Sequence, residues 1–107
     1  MDFKFVKITV FVPSSHANKV RMAMAESGAG HIGNYDFCSF STKGVGRFRG
    51  LYGAKPFIGK KGKIEKVNEE KIETICPKKI LNTVIAAIKK AHPYEEPTID
   101  IYPLLNK

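Results

Sequence analysis

An alternation of side chains near the amino terminus constrains the fold more than any other feature of the sequence. In the segment KFVKITVFV, residues 4–12, one face consists entirely of β-branched aliphatic residues: Val6, Ile8, Val10 and Val12. The other face mixes aromatic, polar and charged residues: Phe5, Lys7, Thr9 and Phe11. A two-residue period with one uniform apolar face predicts a β-strand that covers a hydrophobic core on one side only.

Two segments with helical spacing follow. The first lies between residue 14 and the glycine at 28, and either Ser14 or Ser15 is available as its amino-terminal cap. The second begins at Pro77, a residue suited to a first helical position, and continues to Lys90. Its apolar stripe is the clearest periodicity in the chain: Ile80, Leu81, Val84, Ile85 and Ile88.

Three further segments are predicted as strands. Residues 33–41, GNYDFCSFS, combine aromatic and small residues. Residues 63–75, KIEKVNEEKIETI, repeat apolar residues with a period of two that slips at Glu69 and Glu70, which predicts a β-bulge. Residues 98–104 alternate again. The glycine-rich stretch 44–62 predicts a long irregular loop between the second and third strands.

The order strand, helix, strand, strand, helix, strand predicts the α+β, ferredoxin-like βαββαβ class. In this class two helices cover one face of a four-stranded antiparallel sheet. No repeat or linker divides residues 1–107, so we expect a single domain. The aromatic residues Phe5 and Phe11 then lie on the uncovered face, which predicts that copies of the chain associate sheet to sheet.

The sequence also bears on location. No apolar run approaches the roughly 20 residues of a membrane span, and the amino terminus lacks the pattern of a signal peptide. Cys38 and Cys76 form no CxxC pair, so both are expected to be free thiols in a reducing compartment. We therefore expect a cytoplasmic protein without a membrane partner.

Positive charge dominates the composition. Lys and Arg number 18 against 10 Asp and Glu, which gives a net charge of +8 and favours anionic partners. Much of the excess lies in residues 43–63, which contain no acidic residue. A guanidinium binds phosphate or carboxylate in a fork, so this stretch is a candidate anion site. The alternative is a solvated loop that the lysines keep soluble. The candidate residues are Arg47, Arg49, Lys60 and Lys61.

A second group of residues has the chemistry of metal ligands. Imidazole and thiolate suit zinc or copper, and a carboxylate can complete such a site. The spacing matches no strong metal signature, and structural roles for the histidines, the cysteine and the HPYEEP segment at 92–97 are equally compatible with it. The candidate metal ligands are His31, Cys38, His92, Glu95 and Glu96.

Three segments together resemble a known family. They are AESGAGHIGNYDFCSFSTKGVGRF at 25–48, PFIGKKGKIEKV at 56–67 and AHPYEEPTIDIYPL at 91–104, and they resemble the insert domain of the YqfO, or NIF-three-like, proteins. HPYEEP is also similar to the HPYE-x-P signature of CutA proteins, which share the ferredoxin-like fold of the trimeric PII-type proteins. The resemblance implies a CutA-like (PII-like) module, here free-standing and trimeric, without the two-metal domain of the larger proteins.

These observations favour a non-catalytic, oligomeric module that binds a metal ion or a small anionic ligand in a sensory or regulatory role. A protein-docking module without a small ligand is the main alternative. An enzyme is disfavoured because no motif orders a nucleophile and a base. Nucleic-acid binding is disfavoured because residues 63–75 contain no aromatic residue to stack on bases, and their four glutamates would repel phosphates.

Overall fold

The computed structural model describes residues 2–107 and confirms the predicted ferredoxin-like class. The sheet order is β2-β3-β1-β4, and every neighbouring pair of strands is antiparallel. A single 3₁₀ turn precedes each α-helix. The elements are β1 (Phe5–Pro13), α1 (Ala17–Glu26), β2 (Phe40–Arg49), β3 (Ile64–Pro77), α2 (Leu81–Ala91) and β4 (Thr98–Leu104).

The hydrophobic core lies between the two helices and one face of the sheet. The uniform apolar face of β1 is buried there, as its alternation predicted. The helices contribute Val20 and Met24 of α1 and Val84 and Ile88 of α2 to the core, and β3 contributes Ile72 and Cys76. We call the opposite side of the sheet, which the helices do not cover, the open face.

The second strand lies later in the chain than predicted. Instead of residues 33–41, it occupies Phe40–Arg49, and much of the preceding segment is a tight turn in which Ile32 and Tyr35 exchange two backbone hydrogen bonds of 2.8 and 2.9 Å. Gly44 and Gly46, the first two glycines of the stretch that indicated an irregular loop, lie instead in a strand that pairs with β3 at the sheet edge. The irregular loop is therefore shorter, residues 50–63.

The predicted bulge is also wrong. β3 pairs continuously with both neighbours, and Glu69 and Glu70 stand directly opposite Gly44 and Lys43 of β2. The break in the two-residue apolar period of residues 63–75 has a different cause. Residues 64–68 of β3 extend past the end of β1 and pair only with residues 45–49 of β2, so no helix-covered core imposes an apolar face on them. We call this two-stranded extension the ribbon.

Both helices begin differently from the prediction. Neither serine caps α1 through its side chain; the residue before the helix is His16, whose Nδ1 lies 2.8 Å from the Ser15 hydroxyl oxygen. Pro77 is the last residue of β3, and a 3₁₀ turn separates it from α2. Among residues 2–107, no helix has the length and apolar character needed to span a membrane.

Candidate functional site

The HPYEEP segment forms a turn that is anchored to the end of β1. The Nδ1 atom of His92 accepts a hydrogen bond of 3.1 Å from the backbone N–H of Tyr94, so the ring hydrogen lies on Nε2. Nε2 donates that hydrogen to the carbonyl oxygen of Phe11 at 2.7 Å. Burial lowers the pKa of His92, although the Phe11 carbonyl and the charge of Glu69 partly oppose this effect. The neutral imidazole is thus part of the fold.

Tyr94 connects the same turn to β3. Its hydroxyl donates a hydrogen bond of 2.9 Å to Oε2 of Glu69. Its ring packs edge-on against Phe48 at a centroid distance of 5.7 Å and lies 5.1 Å from the ring of His92. Burial and the bond to Glu69 raise the pKa of Tyr94, so the phenol stays protonated and continues to donate.

The loop of residues 50–63 folds back onto the turn. The backbone N–H of Lys55 donates a hydrogen bond of 2.9 Å to Oε1 of Glu95. Phe57 packs edge-on against His16, with ring centroids 5.3 Å apart. The loop therefore has a defined position over the open face rather than projecting away from it.

The turn, the loop and the ribbon together enclose a cleft of about 380 Å³. This volume is within the range of small-molecule sites. Aromatic rings from all three segments form part of the wall: Phe48, Phe57 and Tyr94. The charged residues of the wall are Arg47, Glu69 and Glu96. Because the side chain of Arg47 belongs to the helix-facing side of the sheet, the cleft itself offers two carboxylates beside an apolar surface.

The structure does not bring the five predicted metal ligands together within one chain. His31 and Cys38 lie in the turn after Gly30, whose N–H donates to the carbonyl of Ile75 at 2.7 Å. The HPYEEP turn contacts Glu69 instead. Glu69 lies six residues from Ile75 along β3, a distance of roughly 20 Å of strand. Among residues 2–107, no group of three or more His, Cys, Asp and Glu residues could hold a metal ion. The complete ligand set stays a prediction that requires a second subunit.

The two cysteines differ in environment. Cys38 is half-buried in the turn of residues 31–39, where its Sγ lies 3.7 Å from the carbonyl oxygen of Asp36. Cys76 is a core residue of β3, and burial raises the pKa of its thiol. Both are free, as predicted.

The four predicted anion-binding residues occupy different places. Arg47 is a lining residue of the cleft, but its side chain belongs to the helix-facing side of the sheet. Arg49 lies at the end of the ribbon, and Lys60 and Lys61 lie in the loop, where the Lys61 ammonium sits 5.8 Å from the ring centroid of Tyr52. The anion site stays a prediction.

Sequence reasoning missed Glu69 and the aromatic wall of the cleft. Tyr94 belongs to a motif that the sequence marked, but its partner lies 25 residues away and was interpreted as part of a bulge. Only the pairing of β3 with β1 and β2 places Glu69 beneath the turn.

The open face carries a second feature that bears on function. Phe40 is 67% exposed there and Tyr102 is 50% exposed. Between them, Glu73 forms ion pairs with Lys7 at 3.3 Å and Lys71 at 3.8 Å. Thr9 at the centre is only 1% exposed, and within residues 2–107 its hydroxyl has no hydrogen-bond partner. An aromatic and ion-paired surface of this kind is suited to association.

Comparison with known sequences gives a consistent result. No protein-family model matches the chain. It is 54% identical over 101 residues to the GTP cyclohydrolase 1 type 2 homolog of Halalkalibacterium halodurans, and the match covers 94% of this chain and 27% of that protein. It is 50% identical over 98 residues to the homolog of Bacillus subtilis, covering 92% and 26%. The chain therefore spans about a quarter of the length of these curated relatives.

Solved structures extend the likeness to the fold. A Bacillus cereus protein related to NIF3 matches with a TM-score of 0.85 and 47% identity, over 98% of this chain and 27% of that one. The periplasmic divalent cation tolerance protein CutA from Archaeoglobus fulgidus matches with a TM-score of 0.68 and 19% identity, over 94% and 84%. The low identity of the second match supports the fold alone. Over nearly its whole length the chain is thus a relative of one segment of the NIF3-related GTP cyclohydrolase 1 type 2 homologs, with the CutA fold, as its resemblance predicted.

Proposed function

We propose that this chain is a non-catalytic, oligomeric module that senses a small ligand in the cleft beneath the HPYEEP turn. One observation carries the proposal: the HPYEEP turn at 92–97 meets the loop of residues 50–63 and β3, which lie much earlier in the chain, at this cleft. The bond from Tyr94 to Glu69 joins the turn to β3, and the bond from Lys55 to Glu95 joins it to the loop. A ligand in the cleft would therefore change the position of the loop, which a partner can detect.

The wall of the cleft supports two ligand classes. A small anion would be bound if the loop closes further over the cleft, with Lys60 and Lys61 of the loop and the neighbouring Arg47 and Arg49 as its cationic partners. Glu96 suits a divalent cation such as zinc or copper, together with Glu95 from the same turn. His31 and Cys38 would then come from a second copy. The name of the CutA neighbour, a divalent cation tolerance protein, is consistent with the metal class.

We place no reaction in the cleft. The titratable groups nearest its centre, Tyr94 and Glu69, hydrogen bond to each other, and His92 uses both ring nitrogens within the fold. Proton transfer to a substrate would require these bonds to break. The GTP cyclohydrolase name belongs to relatives about four times longer than this chain.

The proposed assembly uses the open face. Phe40 and Tyr102 provide exposed aromatic area, and the resemblance to CutA and PII-type proteins implies three subunits. We also place the protein in the cytoplasm, where the thiol of the half-buried Cys38 stays reduced.

Native mass spectrometry tests both parts of the proposal. Metal-free full chain is titrated with zinc, with copper, with inorganic phosphate and with nucleotides. We expect an oligomer that gains about one ligand per subunit. Replacement of Glu96 by Gln should weaken metal binding, or joint replacement of Lys60 and Lys61 by Gln should weaken anion binding, by about tenfold. Glu26→Gln, which removes an exposed carboxylate at the end of α1 outside the cleft, is the matched control for Glu96→Gln and should leave binding unchanged.

Other outcomes would contradict the proposal in distinct ways. An oligomer that binds none of the probes would favour a protein-docking module. A monomer that binds nothing would contradict both the assembly and the site. Binding that His31→Ala abolishes in the oligomer would support the metal site completed by a second copy.

A further inference from the structure

The ribbon and the two residue pairs next to it, Gly44 with Glu69 and Lys43 with Glu70, place most positive side chains on one side of the sheet and most negative ones on the other. On the side that faces the helices, β2 presents Lys43, Arg47 and Arg49, and β3 presents Lys66 directly opposite Arg47. On the open side, the same stretch of β3 presents Glu65 and Glu69. We call Lys43, Arg47, Arg49 and Lys66 the basic strip.

The basic strip has one nearby carboxylate, Glu70, which stands directly opposite Lys43. The ion pairs found among residues 2–107 involve Lys7, Arg21 and Lys71, and none of them includes a residue of the strip. Within the paired segment, Glu70 is the one carboxylate on this side, and Arg21 of α1 binds it at 2.6 Å. The four cations of the strip are therefore unpaired.

The strip is open to a large partner. All four of its side chains are exposed, as are the neutral neighbours Val45, Ile64 and Asn68 on the same side of the ribbon. Neighbouring side chains on one face of a strand lie about 6.7 Å apart, so the strip extends over roughly 20 Å from Lys43 to Arg49. A partner must supply negative charge repeatedly over this length.

We propose that the basic strip binds the phosphate backbone of a nucleic acid without recognising its bases. Duplex DNA carries one negative charge for about every 1.7 Å of its axis, so a duplex along the strip would present about twelve phosphates to its four cations. The two arginines can each hold a phosphate in a fork. The exposed neutral residues of this face include no aromatic side chain, so base stacking is not part of the contact.

The structure also removes an argument against nucleic-acid binding that follows from the sequence alone. That objection relied on the glutamates of β3, which would repel phosphates. The structure places Glu65, Glu69 and Glu73 on the open side of the sheet, and Arg21 binds Glu70. The open-side carboxylates therefore do not face a phosphate that is bound at the basic strip.

The proposal does not depend on the ligand of the cleft. Only Arg47 belongs to both the strip and the cleft wall, so it is left unchanged in the test. The test variant replaces Lys43, Arg49 and Lys66 by Gln. The matched control replaces Lys79, Lys89 and Lys90, which are exposed lysines near the two ends of α2, by Gln and so removes the same net charge.

Fluorescence anisotropy measures binding of the full chain to a labelled DNA duplex of about 20 base pairs between about 50 and 200 mM KCl. We expect affinity to fall with salt with a logarithmic slope of about −3 to −4, as four phosphate contacts predict. The strip variant should bind at least about tenfold more weakly, and its slope should be smaller by about 2 to 3. The control variant should stay close to the parent in both quantities.

Three results would overturn the proposal. The first is that the duplex does not bind. The second is that both variants lose affinity equally, which would assign the effect to net charge. The third is that an acidic peptide of similar charge binds the strip as tightly as DNA, which would indicate an acidic protein partner. Native mass spectra of the two variants are recorded with the metals, phosphate and nucleotides used to test the cleft. Unchanged assembly and unchanged ligand binding in the strip variant show that its weaker DNA binding comes from the missing cations and not from a failure of the proposed function.

Discussion

At the scale of single residues, His92 and Glu96 have different roles although they belong to the same HPYEEP motif. The HPYEEP segment is compatible with ligand binding and with a rigid turn when only the sequence is known. In the structure, His92 binds Phe11 and Tyr94 through its two nitrogens and is 6% exposed, whereas Glu96 is exposed and lines the cleft. The motif therefore contains both a structural part and a part that is available to a ligand.

The buried imidazole predicts a dependence of stability on pH. Burial lowers the pKa of His92 below its ordinary value, so the folded state binds a proton less readily than the unfolded state. The His92 contribution is therefore fully present above about pH 6.5, and it is lost as the pH falls below that value. Protonation of Nδ1 would also break the bond from the Tyr94 N–H.

Urea unfolding at a series of pH values checks this prediction. The parent chain should lose stability on acidification through this range, and His92→Gln should lose less. His31→Ala, which removes an exposed histidine, should behave like the parent. Equal pH dependence in the parent and in His92→Gln would contradict the assignment.

At the scale of elements, the turn of residues 31–39 decides where the second strand begins. Gly30 has φ of 82° and donates its N–H to Ile75, while its carbonyl accepts the N–H of Cys38 at 2.9 Å. These bonds hold the turn against β3 and delay pairing until Phe40. The aromatic and small residues of 33–41 predict an earlier strand, because local strand propensity does not include such tertiary contacts.

Substitution of Gly30 tests the importance of this contact. A Cβ atom at Gly30 would lie 2.5 Å from the carbonyl oxygen of Cys38, a backbone atom that cannot move independently. Gly33 also has positive φ, but a Cβ there has no atom within 4 Å. We expect Gly30→Ala to lower the free energy of unfolding by at least about 3 kcal/mol, and Gly33→Ala by about 1 kcal/mol. Equal losses in urea unfolding would show that the backbone conformation alone matters.

At the scale of the whole molecule, the two faces of the sheet have different roles. The helices bury one face in the core, and the open face retains exposed aromatic residues and ion pairs. Assembly through the open face would cover Phe40 while leaving the helix-facing side of the ribbon exposed. The proposed assembly and the basic strip therefore lie on opposite sides of the sheet.

A pair of aspartate substitutions tests this arrangement. Phe40 and Ile64 lie in paired strands and are 67% and 65% exposed, but they face opposite sides of the sheet. Phe40→Asp should shift the oligomer toward monomer in native mass spectrometry, because a buried unpaired charge destabilises an interface. Ile64→Asp should leave the oligomer intact. The opposite pattern would place the interface on the helix-facing side.

The sequence by itself determined the elements that local periodicity specifies. The alternation of β1, the apolar stripe of α2 and the bounds of β4 at Thr98–Leu104 follow from nearby residues, and with them the ferredoxin-like class. Only the tertiary structure decided the position of β2, the continuous register of β3, and hence the placement of Glu69 beneath Tyr94. The physical reason is that strand pairing joins residues far apart in the chain, and the register assigns each side chain to a face of the sheet.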